Sequence, residues 1–316
     1  MIQLVDFERE PKTFAATAQI WNAGVPADLG FSPAFMEFNT RETTGVMQAG
    51  KVAVDEGLPV GFALATVGNS ELFKGLSTLD ILAVHPDYQG RGIGSMLLEW
   101  AEGWVRAAGA RSLRLGASLR PFAPGLPVEI DAVGFFAKRA FDMSEEHYEW
   151  DVARSIKDYV TPESLQSIQA DARPLKSGEE GELLKFLQRE FPGRWHFEVS
   201  EFFREGGQAS DFMVLWTEIG VDGFCWTTYP DSARPLERFY MGNLAQPWAQ
   251  LGPLGVGKGC RGKGLGGALI DAAIQRVQSE GVDGCLIDWT DLLDLYGKFG
   301  FTPYRQYRML SKQFAS

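Results

Sequence analysis

The sequence predicts an α/β fold in which a mixed β-sheet with packed helices is built twice, once in each half of the chain. Three observations carry that expectation. The chain has 316 residues, 45% apolar and 22% charged, which suits two globular domains and excludes whole-chain disorder. A glycine-rich segment, Val84-His-Pro-Asp-Tyr-Gln-Gly-Arg-Gly-Ile-Gly94, recurs 172 residues later as Val256-Gly-Lys-Gly-Cys-Arg-Gly-Lys-Gly-Leu-Gly266. Each copy runs into an apolar series of helical period: Ile93, Leu97, Leu98, Ala101 and Val105 in the first, Leu265, Leu269, Ile270, Ala273, Ile274 and Val277 in the second.

The elements follow in order. A hairpin is expected from residues 51–54 and 60–65, then a strand over 79–84, the glycine loop and its helix. In the second half, residues 212–216 and 222–227 form the matching hairpin, and a strand over 250–256 leads into the second loop. Phe136-Ala-Lys-Arg-Ala-Phe141 recurs as Tyr296-Gly-Lys-Phe-Gly-Phe301, now 160 residues apart. The first half therefore carries 12 more residues ahead of this point. They are expected in 116–130, where Pro121, Pro124 and Pro127 oppose regular structure, as a loop able to wall a site. The last strand of the first half is expected at 148–152 and the linker near 154–165. That gives domains over 1–160 and 161–316. Trp100, Trp104, Phe135 and Phe136 are expected to pack, and Glu145-Glu146 to form a solvated turn.

Charge and cysteine usage exclude several classes. Thirty basic and 41 acidic residues give a formal charge of −11, which opposes a nucleic-acid partner held by phosphate contacts. Cys225, Cys260 and Cys285 form no C-x-x-C pair, and the histidines are His85, His147 and His196. Neither a disulfide framework nor a metal site is expected. The first residues lack the basic end and apolar run of a signal peptide, and no apolar stretch of about 18 residues appears. A cytoplasmic location without a membrane partner is expected.

A strand–Gly-x-Gly-x-Gly–helix segment has a physical use. The first helical turn presents unpaired N–H groups and the positive end of the helix dipole, and the glycines let an anion approach the backbone. Three ligand classes compete. Gly257-Lys-Gly-Cys-Arg-Gly-Lys263 satisfies the first seven positions of a P-loop, but Gly264 stands where magnesium needs Ser or Thr. Gly262-x-Gly264-x-x-Gly267 fits a dinucleotide fingerprint, with Asp288 placed 21 residues on. The first copy, however, has Ser95 at the third glycine, and the chain beyond the second loop is too short for the remaining βα units.

The third class fits both copies. Gln89-Gly-Arg-Gly-Ile-Gly94 and Arg261-Gly-Lys-Gly-Leu-Gly266, each after a strand, resemble the acyl-CoA loop of the GNAT N-acetyltransferase superfamily. The likeness extends through the hairpin, the helix and the Tyr/Phe-x-x-x-Gly/Ala-Phe segment, so the chain resembles a tandem GNAT of the layout seen in mycothiol synthase. The resemblance implies acetyl-CoA as cosubstrate and no metal. Its pyrophosphate would lie on the amides of Gln89, Gly90, Arg91, Gly92, Ile93 and Gly94, and on those of Arg261, Gly262, Lys263, Gly264, Leu265 and Gly266. The strands ending at Val84 and Val256 would splay and pair with the pantetheine arm. The acceptor would be the amine of a small molecule or peptide, acylated by direct attack.

In the family the acid that protonates the leaving thiolate is often a Tyr four residues before the Gly of a Gly-Phe pair. Tyr296 stands there, ahead of Gly300-Phe301. The first half has Phe136 and Ala140 instead, so the resemblance implies a catalytic second domain and a degenerate first. The general base stays open among Asp288, His196, Glu198 and a water chain. Asp80 has Gly252 as its counterpart, and Asp288 could equally cap the next helix. In Phe191-Pro-Gly-Arg-Trp-His196, Arg194, Trp195 and His196 either touch the acceptor or belong to a packed loop. The alternative function is a non-catalytic CoA-binding pair.

Overall fold

A computed structural model describes residues 1–143, 147–234 and 246–315; the expected turn at Glu145-Glu146 lies outside the described residues. The chain divides into two compact units. One comprises Met1–Glu149 with the C-terminal stretch from Arg305, the other the described residues from Trp150 to Tyr304.

The first unit contains β1 (Gln3–Asp6), α1 (Pro11–Gly24), α2 (Pro33–Asn39), β2 (Val46–Asp55), β3 (Leu58–Gly68), β4 (Ser77–Val84), α3 (Ile93–Ala107), β5 (Ser112–Leu115), β6 (Leu126–Pro127) and α4 (Val133–Ala137). Its sheet runs β1-β2-β3-β4-β5 and ends on the last strand of the chain, Ser311–Gln313. Only β4 and β5 pair in parallel; the other neighbours are antiparallel. Alternate residues of β3 serve opposite faces, as the two-residue strand period requires. Phe62 and Leu64 join Phe14, Trp21 and Phe35 of α1 and α2, while Ala63, Ala65 and Val67 join Leu97, Leu98 and Ala101 of α3. Each such apolar side chain contributes about 1.5–3 kcal/mol when fully buried, and the two cores hold β4 and the start of α3 in fixed relation. Trp100 and Trp104 pack half-buried against this core, as expected.

The second unit contains β7 (Tyr148–Ser155), whose first two residues belong to the other unit, β8 (Asp171–Pro174), α5 (Glu180–Glu190), α6 (Arg194–Arg204), β9 (Phe212–Thr217), β10 (Gly220–Thr228), β11 (Trp248–Val256), α7 (Leu265–Ser279), β12 (Gly284–Thr290), α8 (Leu293–Gly297) and β13 (Thr302–Arg308), whose residues from Arg305 belong to the other unit. The sheet order is β13-β7-β12-β11-β10-β9-β8, with β11 and β12 parallel. Leu183, Phe186, Val199 and Phe202 of α5 and α6 cover one face at Phe212, Val214, Phe224 and Trp226.

The division falls at Glu149/Trp150, ahead of the linker expected in 154–165. The reason is strand exchange between the repeats. β7 closes the first repeat in sequence, yet Val152, Ala153 and Arg154 pair with Ile287, Leu286 and Cys285 of β12. The last strand of the second repeat pairs instead with β5. Among the described residues, no helix is long and apolar enough to cross a membrane.

Candidate functional site

Both glycine loops lead into a helix start with no side-chain cap, open at Gly92 in the first unit and faced by Ile168 at Gly264 in the second. Gly92 and Gly264 cap α3 and α7 in the left-handed region, at φ +84° and +77°, and no side chain caps either helix. Gly90 and Gly262 share φ values of +73° and +72°, which favour glycine. A Cβ at Gly90, Gly92 or Gly262 would meet no heavy atom within 4 Å, so an anion can reach these amides. The loops are braced alike: Gln89 Nε2 donates to the Val84 carbonyl at 3.0 Å, and Arg261 Nε to that of Val256 at 3.4 Å. Ile93 is buried in the core and Leu265 half-buried, so the side chains of these two pack. Arg91 folds back onto the Asp87 carbonyl at 2.7 Å and the Tyr88 ring. Lys263 is exposed and forms no ion pair among the described residues.

The strands before both loops splay. β4 pairs with β5 at Thr78 and Leu79, and β11 with β12 at Trp248, Ala249 and Gln250. Each splaying strand carries one extra residue in its antiparallel register: Asp80 between Leu79 and Ile81 opposite β3, and the Gly252-Pro253 region between Leu251 and Leu254 opposite β10. Such a bulge re-aims the strand and leaves its later backbone groups free for a ligand.

In the first unit the splay opens a cavity of about 810 Å³, lined by Asp80–Val84, Gln89, Gly90 and Gly92–Ser95 of the loop, Trp21, Phe122 and Phe136. The loop expected in 116–130 forms one wall, with Phe122 buried against Phe31 and Phe35. Asp80 is buried and accepts from Thr66 Oγ1 and Thr78 Oγ1, both at 2.5 Å, and from Gln48 Nε2 at 2.8 Å. Burial pushes its carboxyl up to about 6, against the pull of these donors and Ser118. Phe136 is buried edge-on to Phe135 and Phe141 and offers no proton.

In the second unit Tyr296 is 7% exposed, and its hydroxyl makes no hydrogen bond among the described residues. Burial, followed by the nearby Cys225, Asp288 and Asp291, raises its pKa above the ordinary 10. Asp288 Oδ1 accepts from Gln250 Nε2 at 2.7 Å, and the same amide donates to the Gly252 carbonyl at 2.9 Å. Asp288 therefore sits at the splay, beside the Gly252 bulge of β11. Asp288 does not serve as the cap of α8, whose N-cap is Leu292 with no side-chain cap hydrogen bond.

Sequence reasoning missed Arg234, which no motif marks. It is buried, lies over the Trp226 ring at 4.5 Å, and donates to the Gly252 carbonyl at 3.4 Å. Burial lowers its pKa, opposed by Asp288 and Glu198. Arg194 donates to Glu198 Oε1 at 2.7 Å and lies over Trp289 at 4.8 Å. Phe191 and Trp195 pack together, their rings 4.8 Å apart. The segment is thus the short turn after α5 and the first turn of α6 rather than a loop, with Phe191 and Trp195 packed together and Arg194 paired with Glu198. His196 enters none of these side-chain contacts. Among the described residues, no group of three or more His, Cys, Asp or Glu could hold a metal ion.

Residues 156–168 strap one stripe of α7. Gln278 Nε2 donates to the Ile156 carbonyl at 2.8 Å, Tyr159 and Thr161 donate to Asp271, and Leu165 and Ile168 press on the positions of Gly267 and Gly264.

The model of the acetyltransferase (GNAT) family matches residues 17–122 and again 182–301. The mycothiol acetyltransferase of Corynebacterium glutamicum (strain R) is 26% identical over 241 residues, covering 70% of this chain and 70% of that protein. Among solved structures, a GCN5-related glucosamine N-acetyltransferase region in a fungal multi-domain GH3 β-N-acetylglucosaminidase superposes with a TM-score of 0.84 at 25% identity, over 98% of this chain. The chain spans 38% of that larger protein. A tandem GNAT protein from the clavulanic acid biosynthesis pathway gives 0.68 at 15% identity, with both chains covered over 100%.

Proposed function

The chain belongs to the acetyltransferase (GNAT) family and is an N-acetyltransferase, and on that premise we propose that its second unit transfers an acetyl group from acetyl-CoA to the primary amine of a small polyhydroxylated acceptor, of the amino-sugar class, by direct attack. The observation that carries this reading is Tyr296, buried at the family's acid position, its pKa raised by burial and then by Cys225 and Asp288. Its raised pKa keeps a proton available for the leaving thiolate. An alkylamine is mostly protonated at neutral pH, and Asp288 takes that proton, directly or through water. The C–N bond then forms and the C–S bond breaks, Tyr296 protonates the CoA sulfur, and the proton shed by the acylated nitrogen returns to the Tyr296 oxygen. The loop from Arg261 to Gly266 holds the pyrophosphate, and the splayed end of β11 at Val256 pairs with the pantetheine arm.

Two facts support the acceptor class. The fungal relative is named as a glucosamine N-acetyltransferase region. The second unit also sets the Trp289 ring beside Arg194 and Glu198, an apolar ring face next to charged hydrogen-bonding groups. The first unit, whose cavity carries the same loop at Gln89–Gly94, binds acetyl-CoA without turning it over, because Phe136 supplies no acid.

The test is release of CoA thiol from acetyl-CoA with glucosamine, a polyamine and an N-terminal peptide amine, followed by product mass. Acetylation of glucosamine above the other two is expected. Preference for the polyamine or the peptide overturns the acceptor class, and no thiol release with any amine overturns the reaction.

A further inference from the structure

We propose that Asp222 is a positioning residue of the second acetyl-CoA loop, holding it from beneath through Cys260 and Arg189. The proposal rests on the reading that this loop cradles acetyl-CoA. Asp222 lies near the start of β10, buried under the loop. Its Oδ2 accepts from the Cys260 thiol at 3.0 Å, and its Oδ1 from Arg189 Nη2 at 2.7 Å. Its carbonyl accepts the Gly257 N–H at 2.8 Å. A Cβ at Gly257 would lie 2.1 Å from Oδ1, so glycine there admits the carboxylate. Cys260 is 3% exposed, and burial, helped by Asp222 itself, pushes its thiol up to about 11. The thiol therefore remains a donor at neutral pH. One residue on from Arg189, Glu190 Oε2 accepts the Lys258 N–H at 3.1 Å. The end of α5 and the start of β10 thus hold the turn 257–260, directly before the amides of Arg261 to Gly266.

The first half builds the same turn without this anchor. There the His85 N–H donates to the Val60 carbonyl at 2.9 Å, and Val60 and Tyr88 stand where Asp222 and Cys260 stand. The turn itself therefore needs no carboxylate. The anchor occurs in the half that carries Tyr296, where ordering the loop in advance lowers the cost of binding the cosubstrate.

Four variants test this by steady-state kinetics and by hydrogen exchange of the free protein. Asp222→Asn weakens a charge-assisted bond and is expected to raise KM for acetyl-CoA about tenfold. At saturation kcat should hold within about twofold, and the amides of 257–263 should exchange faster. Cys260→Ser, which keeps a donor, should stay near wild type, while Cys260→Val should follow Asp222→Asn. It serves as the test if the asparagine variant fails to fold. Lys263→Glu should raise KM for acetyl-CoA by like-charge repulsion of the pyrophosphate. An unchanged KM and unchanged exchange in Asp222→Asn and Cys260→Val, with Lys263→Glu impaired, overturn the anchor. An unchanged KM in Lys263→Glu as well removes the cradle reading, and the anchor with it.

Discussion

The Tyr159 hydroxyl donates to Asp271 Oδ1 at 2.6 Å and pins the strap to α7. Asp271 is a buried carboxylate in mid-helix, satisfied by Tyr159, Thr161 and Gln275. Tyr159→Phe should destabilise the second unit by about 1–3 kcal/mol in urea unfolding, since one acceptor on a buried charge loses its donor. Burial first, then Asp271, raises the Tyr159 pKa above its ordinary 10. The folded chain therefore holds this proton more tightly than the unfolded one. The contribution is full below pH 10 and is lost as pH rises beyond it, so the gap between wild type and Tyr159→Phe should narrow only on the alkaline side.

Gly267 is explained by the same strap. A Cβ there would lie 3.1 Å from Leu165 Cδ2, tight enough to push the strap. Alanine in a helix is otherwise favoured over glycine by about 1 kcal/mol. Gly267→Ala alone should therefore gain little or lose stability, whereas in a Leu165→Ala background it should recover close to that 1 kcal/mol. A double-mutant cycle on thermal unfolding reads the difference. Strict additivity of the two substitutions would remove the contact as the cause.

The glycine loops, both hairpins and the amphipathic helices α3 and α7 were legible because each is local. Positive φ needs glycine, and helical burial needs the i, i+3, i+4 pattern. The splay was legible in part, through Gly252 and Pro253. The exchange of closing strands was not, because nothing in the pattern of Trp150–Ser155 says which sheet receives it. Arg234 was also hidden: its place depends on where β11 bulges, and one arginine between Ala233 and Pro235 carries no period. Nor did composition mark Asp222, since its role follows from a carboxylate meeting a thiol 38 residues away.

Asp80 should give the first unit a distinct pH response. Burial raises its carboxyl from the ordinary 3.8 to about 6. Its folded pKa lies above the unfolded one, so the stability it contributes is full below about pH 4 and is lost as pH rises through 6. The shift corresponds to about 3 kcal/mol. Urea unfolding between pH 4 and 7.5 should show wild type losing stability relative to Asp80→Asn by about that amount, with no further change above pH 7. A constant difference across that range would mean that Asp80 is ionised throughout in the folded chain.

Tyr296 is the mechanistic asymmetry between the halves. Tyr296→Phe keeps the ring, its edge contact with Phe301 and the packing of α8, and removes the proton. Loss of one general acid should lower kcat about a hundredfold or more. KM for acetyl-CoA should stay within about twofold, because the loop amides are untouched. The raised pKa keeps the hydroxyl protonated through pH 9, so wild-type kcat should show no alkaline fall from this group below pH 10. A kcat unchanged in Tyr296→Phe but abolished in Asp80→Asn would move the chemistry to the first unit, where a buried carboxyl lines the cavity and no tyrosine stands at the equivalent turn.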